Sequence, residues 1–346
     1  MSNRIKTLGK QGIANLQARR RQWLSVREAR RIVDAVEQSD GPLTSAMRKR
    51  AREDAVERLG NDYHAHWLLA FAALAGEYRE GWLPECYYLA HTMPNVNGEA
   101  HRLGRIRATN PLFMANADLP DIAYALNGRF LSARLDPLTP TEALSRLKAH
   151  DEIVFKSDGS GFGNGVEILA TQGLTAPDLI RLGNGVFQPR ILPHPDLSRL
   201  GSDALATIRL GTVLPATGPA QLRMAYLKLG RHGQKHVVAQ NQLRIAIDLH
   251  SGHLSDLGYL SNWTRVDRHP DSHTDFAGLP IPGFDSAGQM ALNLHDKMPL
   301  ARFICWDFAI DREERPQFLE WEGGVVSFAE GIQGPCFADL HWDSFH

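Results

Sequence analysis

The chain has 346 residues, 43% hydrophobic and 22% charged, with a formal net charge of -1. This composition excludes a wholly disordered chain and is large enough for two cores. The balanced charge gives no general field for nucleic-acid phosphates, the three separated cysteines (Cys86, Cys305, Cys336) lack disulfide-framework or zinc spacing, and no apolar run reaches the ~20 residues of a membrane span, so a soluble, cytoplasmic protein that binds no nucleic acid is expected.

Residues 1–105 read as a helical N-terminal domain and 106–346 as a second domain, with Pro94, Asn95, Asn97 and Gly98 breaking the helical pattern ahead of the division. Ser25 is placed to cap a helix carrying Ile32, Val33 and Val36, which Ser39 to Pro42 terminate. A second helix is expected from Leu43 to Leu59, its mixed charges forming a solvated face. The arginines Arg19 to Arg21, beside Trp23 and Leu24, read first as a solvated basic arm and second as a weak contact for an acidic membrane surface or a polyanionic substrate.

From Asp151 the texture changes to short β-rich runs: Glu152 to Lys156, Val166 to Ala170, Gly185 to Ile191 and Met224 to Leu229. Gln242 to Leu249 alternates as a strand and meets a hairpin turn at Gly252. A helix is predicted between Asp285 and Lys297, then strands over Ala301 to Ile310 and Gln317 to Trp321.

Two constellations carry chemistry. The first is a strand ending in Lys156, the glycine-rich stretch Gly159 to Gly165, and a returning strand. Glycines let backbone N–H groups approach phosphate oxygens, and the lysine adds a positive charge. Such a loop alone also fits a plain hairpin, and it is neither a P-loop nor a dinucleotide fingerprint because no helix follows. The second is Asp307 on one strand with Glu320 and Glu322 on the next. An antiparallel pairing sets Asp307 beside Glu320, and residues two apart on a strand share a face. Three carboxylates on one surface repel unless a cation joins them, and all-oxygen ligation suits Mg shared with substrate phosphates.

The order of these pieces resembles the ATP-grasp superfamily, and within it the sugar-transfer associated ATP-grasp branch. The resemblance runs from about Asn110 to Gln333 through Phe155-Lys156, Val186 to Ile191, Ala206 to Arg209, Gln240-Asn241, Ile247-Asp248, Ser251-Gly252, His269-Pro270, Gly278 to Pro282, Trp306-Asp307 and Leu319-Glu320. It implies an α+β fold in which two α+β subdomains clamp ATP, preceded here by the helical region. It implies that Lys156 and Ser157, with Gly161 and Gly163 of the loop, hold ATP phosphates, and that Gln188, Pro189, Arg190 and Ile191 receive adenine at a hinge. Asp307, Glu320 and Glu322 would bind Mg, being otherwise readable as an exposed acidic hairpin face, and Arg209 would stabilise phosphate or an acyl phosphate, being otherwise readable as a structural ion-pair partner. His269 and Asn241 would face the acceptor, His269 being equally readable as a turn histidine before Pro270.

Two departures from the pattern stand out. The window Thr109 to Phe113 lacks the expected first ATP-binding lysine, leaving Arg102, Arg105 or Arg107 as substitutes, and the usual Glu-x-Asn metal pair reads Glu320-Trp321-Glu322. The reaction so implied joins a small-molecule or saccharide carboxylate to an amine acceptor through an acyl phosphate, in polysaccharide or cell-envelope synthesis. A kinase acting on a hydroxyl through the same Mg-ATP site, and a non-catalytic nucleotide-binding protein, are the alternatives.

Overall fold

The computed structural model of the protein describes residues 20, 23–114, 117–160, 165–201, 204–231, 233–234 and 237–345. The chain divides into two compact units: Met1–Asn95 with Asn262–Thr264 and Val325–His346, and Val96–Ser261 with Arg265–Gly324.

The first unit is helical. Its helices span 23–40, Ser45–Glu57 and Ala65–Ala75. Thr44 caps the second, its hydroxyl accepting from the Met47 N–H at 3.2 Å. The third is apolar on nearly every side and buries Trp67, Leu68, Phe71 and Leu74, as a helix at the centre of a core must. Ser25, expected as a cap, lies inside its helix and accepts from the Trp67 indole N–H at 2.7 Å. The C-terminal segment completes this unit through two buried carboxylates. Glu85 accepts from the N–H groups of Val326 and Ser327 at 2.9 and 2.8 Å, and Glu330 from those of Leu83 and Cys336, both at 2.7 Å.

The division expected between residues 105 and 106 thus differs from the structural one at both ends of the chain. Residues just after Asn95 join the second unit because the Asn97 amide oxygen accepts from the N–H groups of Arg302 and Phe303, each at 3.0 Å, while its NH2 donates to the Phe303 carbonyl at 2.8 Å. In the sequence Asn97 is only a turn signal; its docking partner lies 206 residues away.

The second unit holds two antiparallel sheets, so the fold is α+β as expected. One comprises β1 (Ala123–Leu126), β2 (Arg129–Ser132), β3 (Pro137–Leu138), β4 (Glu152–Ser157), β5 (Val166–Ala170) and β6 (Gly185–Pro189), in the order β3-β2-β1-β6-β4-β5. The other comprises β7 (Thr207–Val213), β8 (Gln221–Leu229), β9 (Leu243–Ile247), β10 (Leu254–Leu260), β11 (Arg265–Val266), β12 (Phe303–Ile310) and β13 (Pro316–Glu322), in the order β11-β10-β9-β8-β7-β12-β13.

Alternation gives each sheet an apolar and a working face. In the first, Ile153, Phe155, Phe187 and Phe130 form a core with Ala143, Leu147 and Leu179 of two covering helices. The opposite face carries Lys156 beside Val166 and Val186, and Val154 beside Ile168 and Gln188. In the second, Ile208, Leu210, Leu227, Ile245, Trp306 and Phe308 pack with Ala287, Ala291 and Leu294 of the helix Phe284–Asp296. Register places Asp307 opposite both Arg209 and Glu320, and Arg209 opposite Tyr226, on the other face.

Candidate functional site

Between β12 and β13 the register shifts: Asp307 pairs Glu320, but Phe308 pairs Phe318, leaving Leu319 as one extra residue. This bulge lets Phe318 enter the apolar core while Glu320, two positions on, faces the other way. A bulged residue is left outside the ladder, and the Leu319 carbonyl accepts instead from the Lys156 ammonium at 3.2 Å, across 163 residues of chain. The end of β4 thereby meets β13 at the glutamates. A third segment closes the group: the Arg107 guanidinium donates to Glu320 Oε2 at 2.8 Å and to the Gly104 carbonyl at 3.1 Å, and its backbone N–H donates to Asp158 at 2.9 Å. Gly104 permits this approach, since a Cβ there would lie 2.3 Å from the Trp321 carbonyl oxygen.

On the face of the second sheet, Arg209 grips Asp307 with two parallel bonds of 2.8 Å, Lys228 adds a third at 2.6 Å, and Arg209 also reaches Glu322. Burial by itself would raise the Asp307 carboxyl, but the Arg209 and Lys228 charges hold it well below the usual carboxylate range. Burial pushes the Lys156 ammonium down to about 8, against the opposing pull of Glu320.

These contacts correct one premise drawn from the sequence. Asp307, Glu320 and Glu322 share a face, but their mutual repulsion is relieved by Arg209, Lys228 and Arg107. Among the described residues no group of three or more His, Cys, Asp or Glu is arranged to hold a metal ion. Asp307, only 4% exposed, is committed to its cations, whereas Glu320 and Glu322 are 31% and 41% exposed. One oxygen of each has no partner among the described residues, and this hard-oxygen pair fits Mg that is shared with phosphate and water.

The other sequence-selected residues distribute unevenly. Ser157 is at the end of β4, its N–H donating to the Gly165 carbonyl at 2.9 Å; Gly161 and Gly163 lie outside the described residues. Gln188 is buried on the working face of the first sheet, with Pro189 ending β6, Arg190 exposed and paired to Glu152, and Ile191 half-buried beyond it. Asn241 is on the exposed turn Ala239–Asn241, and among the described residues no hydrogen bond joins it to the group above. His269, one of the residues assigned to the acceptor side, is fully buried with both ring nitrogens occupied: Nε2 by the Gly230 carbonyl at 3.1 Å and Nδ1 by the N–H groups of Asp271 and Ser272 at 3.2 and 3.3 Å. Both nitrogens thus serve main-chain groups, those of Asp271 and Ser272 lying in the turn after Pro270.

Of the three arginines offered in place of a lysine, Arg107 enters the site, while Arg102 is exposed and paired to Glu99. Lys228 was missed, although it is recoverable in principle as a lone charge in the apolar run Met224 to Leu229.

Together the two antiparallel sheets and the helical unit define an α+β protein in which cations and carboxylates converge at one hairpin. Residues 179–326 match the family described as sugar-transfer associated ATP-grasp, the branch that the sequence resembles, over that stretch. Solved structures similar to the chain include an N5-carboxyaminoimidazole ribonucleotide synthetase in its ADP complex (11% identity, 63% of this chain and 44% of that one, TM-score 0.39). Others are the ATP-grasp ligase PsnB complexed with minimal precursor (12%, 84% and 73%, 0.41) and the biotin carboxylase–beta-gamma-ATP complex from Campylobacter jejuni (12%, 92% and 69%, 0.46). The chain therefore spans under half the length of the first of these. A comparison with curated proteins gave no match. Among the described residues no helix is long and apolar enough to cross a membrane.

Proposed function

We propose that the second unit binds Mg-ATP and uses it to join a carboxylate to an amine. The observation that carries this reading is the convergence of Lys156, Arg107 and Glu320 at the Leu319 bulge, where cations for a triphosphate stand beside oxygen donors for its metal. Lys156 and Arg107 hold the phosphates, Arg107 filling the role of the absent first lysine. The half-buried apolar strip Val154, Val166 and Ile168 receives the base. Glu320 and Glu322 hold Mg, which supplies positive charge against the phosphate oxygens. Arg209, kept in place by Asp307, faces negative charge that develops as the phosphoryl group moves to the carboxylate. The amine then displaces phosphate, giving an amide, ADP and free phosphate. The substrates in this reading are a small-molecule or saccharide carboxylate and an amine of polysaccharide or cell-envelope synthesis.

Calorimetry with ATP, with and without Mg, tests the site. Micromolar Mg-dependent binding is expected in the wild type and its loss in Lys156→Ala and Glu320→Ala. ADP and free phosphate released only when carboxylate and amine are both present identify the ligase, whereas phosphate retained on the product identifies a kinase. The neutralisation of Asp307 by Arg209 and Lys228 favours a second, non-catalytic reading. No turnover in the wild type with any substrate pair would support it, and turnover that is lost in Asp307→Asn would exclude it.

A further inference from the structure

The helix 23–40 of the first unit has two unlike faces. Ala29, Ile32, Val33 and Val36, at helical spacing, are buried and fix it to the core. The opposite side carries Trp23, Leu24, Arg27, Arg30 and Arg31, all exposed, with Asp34 at its far end and Glu28 on its flank. Arg20 is helical and exposed as well, while Arg19 and Arg21 lie outside the described residues. The first 27 residues of the chain hold seven Lys and Arg and no Asp or Glu.

Its charges and its apolar groups both set this side apart from an ordinary solvated face. Among the described residues none of Arg20, Arg27, Arg30 and Arg31 is held in an ion pair, whereas Arg48, Arg50, Arg58 and Arg79 of the same unit pair with Glu37, Glu80, Asp54 and Glu77. The positive field reaches the third helix, where burial first, then Arg30 and more weakly Arg52 hold the His66 imidazole below its ordinary range against the pull of Asp62. Of the seven tryptophans Trp23 alone is exposed, at 59%, the others being 3% or less, and Leu24 beside it is 47% exposed. The Arg27 guanidinium lies over the Trp23 ring, 5.4 Å from its centroid, so the indole and the cations form one patch.

We propose that this face docks the protein reversibly on an anionic lipid surface. Guanidinium forks match the phosphodiesters of lipid headgroups, and beneath these a bilayer offers an apolar layer for the indole and the leucine. A nucleic-acid duplex supplies the phosphates without that layer. Because the apolar face of the helix is committed to the core, the helix cannot turn over and insert. The contact is therefore shallow and electrostatic, with Trp23 and Leu24 as its anchors. It lies wholly on the first unit and does not depend on the Mg-ATP reading.

The test is co-sedimentation of the full chain with vesicles of phosphatidylcholine alone and of equal parts phosphatidylcholine and phosphatidylglycerol. The protein is expected to pellet with the anionic vesicles only, and to be released at about 1 M salt, where the screening length falls to roughly 3 Å. Arg27→Gln/Arg31→Gln should weaken binding by roughly twentyfold, about fivefold for each arginine, while Arg27→Lys/Arg31→Lys keeps most of it. Since Trp23 is the one exposed tryptophan, anionic vesicles should shift the intrinsic fluorescence to the blue in the wild type and not in Trp23→Phe. No pelleting, equal pelleting with neutral vesicles, binding unchanged in the double glutamine variant, or a shift that persists in Trp23→Phe would each overturn the inference. So would tighter binding to duplex DNA than to the anionic vesicles at the same salt. Should the glutamine variant fail to fold, the lipid and salt comparisons on the wild type decide.

Discussion

Lys156 shows how a residue's place changes its chemistry. A lysine on a solvated strand stays charged far above neutrality, but burial brings this one to about 8. Its charge is therefore complete below that pH and lost above it. Mg-ATP affinity is expected to fall as pH rises through 8, and binding at pH 9 should take up a proton, visible as a dependence of the calorimetric heat on buffer ionisation enthalpy. The stability sign is opposite: between the folded value and the ordinary 10.5 the unfolded chain binds more protons, so stability attributable to Lys156 rises with pH there. At His269 the outcome concerns stability alone. Its Nε2 atom lies 2.4 Å from where a Cβ on Gly201 would stand, so Gly201→Ala should force the ring aside and His269→Ala should strand three polar main-chain groups. Each is expected to cost about 1–3 kcal/mol in urea unfolding. If Mg-ATP affinity survives in whatever fraction folds, His269 has no part in binding.

At the scale of the element, the β12–β13 hairpin carries the site through its irregularity. A regular strand would send Phe318 and Glu320 to one face, pulling a phenylalanine out of the core or a carboxylate into it. The extra residue at Leu319 resolves the conflict and leaves a carbonyl for Lys156. Deleting Leu319 should keep Asp307 opposite Glu320 and so preserve the fold, while removing that carbonyl and weakening Mg-ATP binding by roughly tenfold. A loss of the folded state instead would assign the bulge to stability. One strand further in, Arg209→Met would leave the buried Asp307 with Lys228 alone, and a loss of about 3–5 kcal/mol is expected in denaturant unfolding.

At the scale of the whole molecule, the first unit is closed by buried glutamates. Burial pushes both Glu85 and Glu330 up to about 7, only partly offset by the N–H groups they accept from. The unfolded chain gives up these protons nearer 4.5, so stability due to the neutral carboxyls is complete below that pH and is lost as pH rises through 7. Glu85→Gln is the clean probe, because a single oxygen of Glu85 takes both N–H bonds and an amide oxygen can do the same; Glu330 uses both oxygens. The variant should be more stable than the wild type at pH 8 and little different at pH 5. Equal differences at both values would show that Glu85 does not titrate in this range.

How much of this was legible follows from the range of each interaction. The strands Val166–Ala170 and Gln317 to Trp321, the helix near Asp285 and the Asp307–Glu320 pairing were readable because alternation, helical period and a short turn are local. The β1–β3 strands escaped notice because they are short and lack a strong alternating run. The sequence by itself determined the α+β class, the Lys156 strand and the acidic hairpin. Tertiary structure alone decided that Arg107 joins the site, that Asp307 is neutralised by cations, that His269 is buried and that the last residues close the helical unit. Each of these depends on partners tens to hundreds of residues apart, and no pattern within a window can register a charge or a carbonyl delivered from so far along the chain.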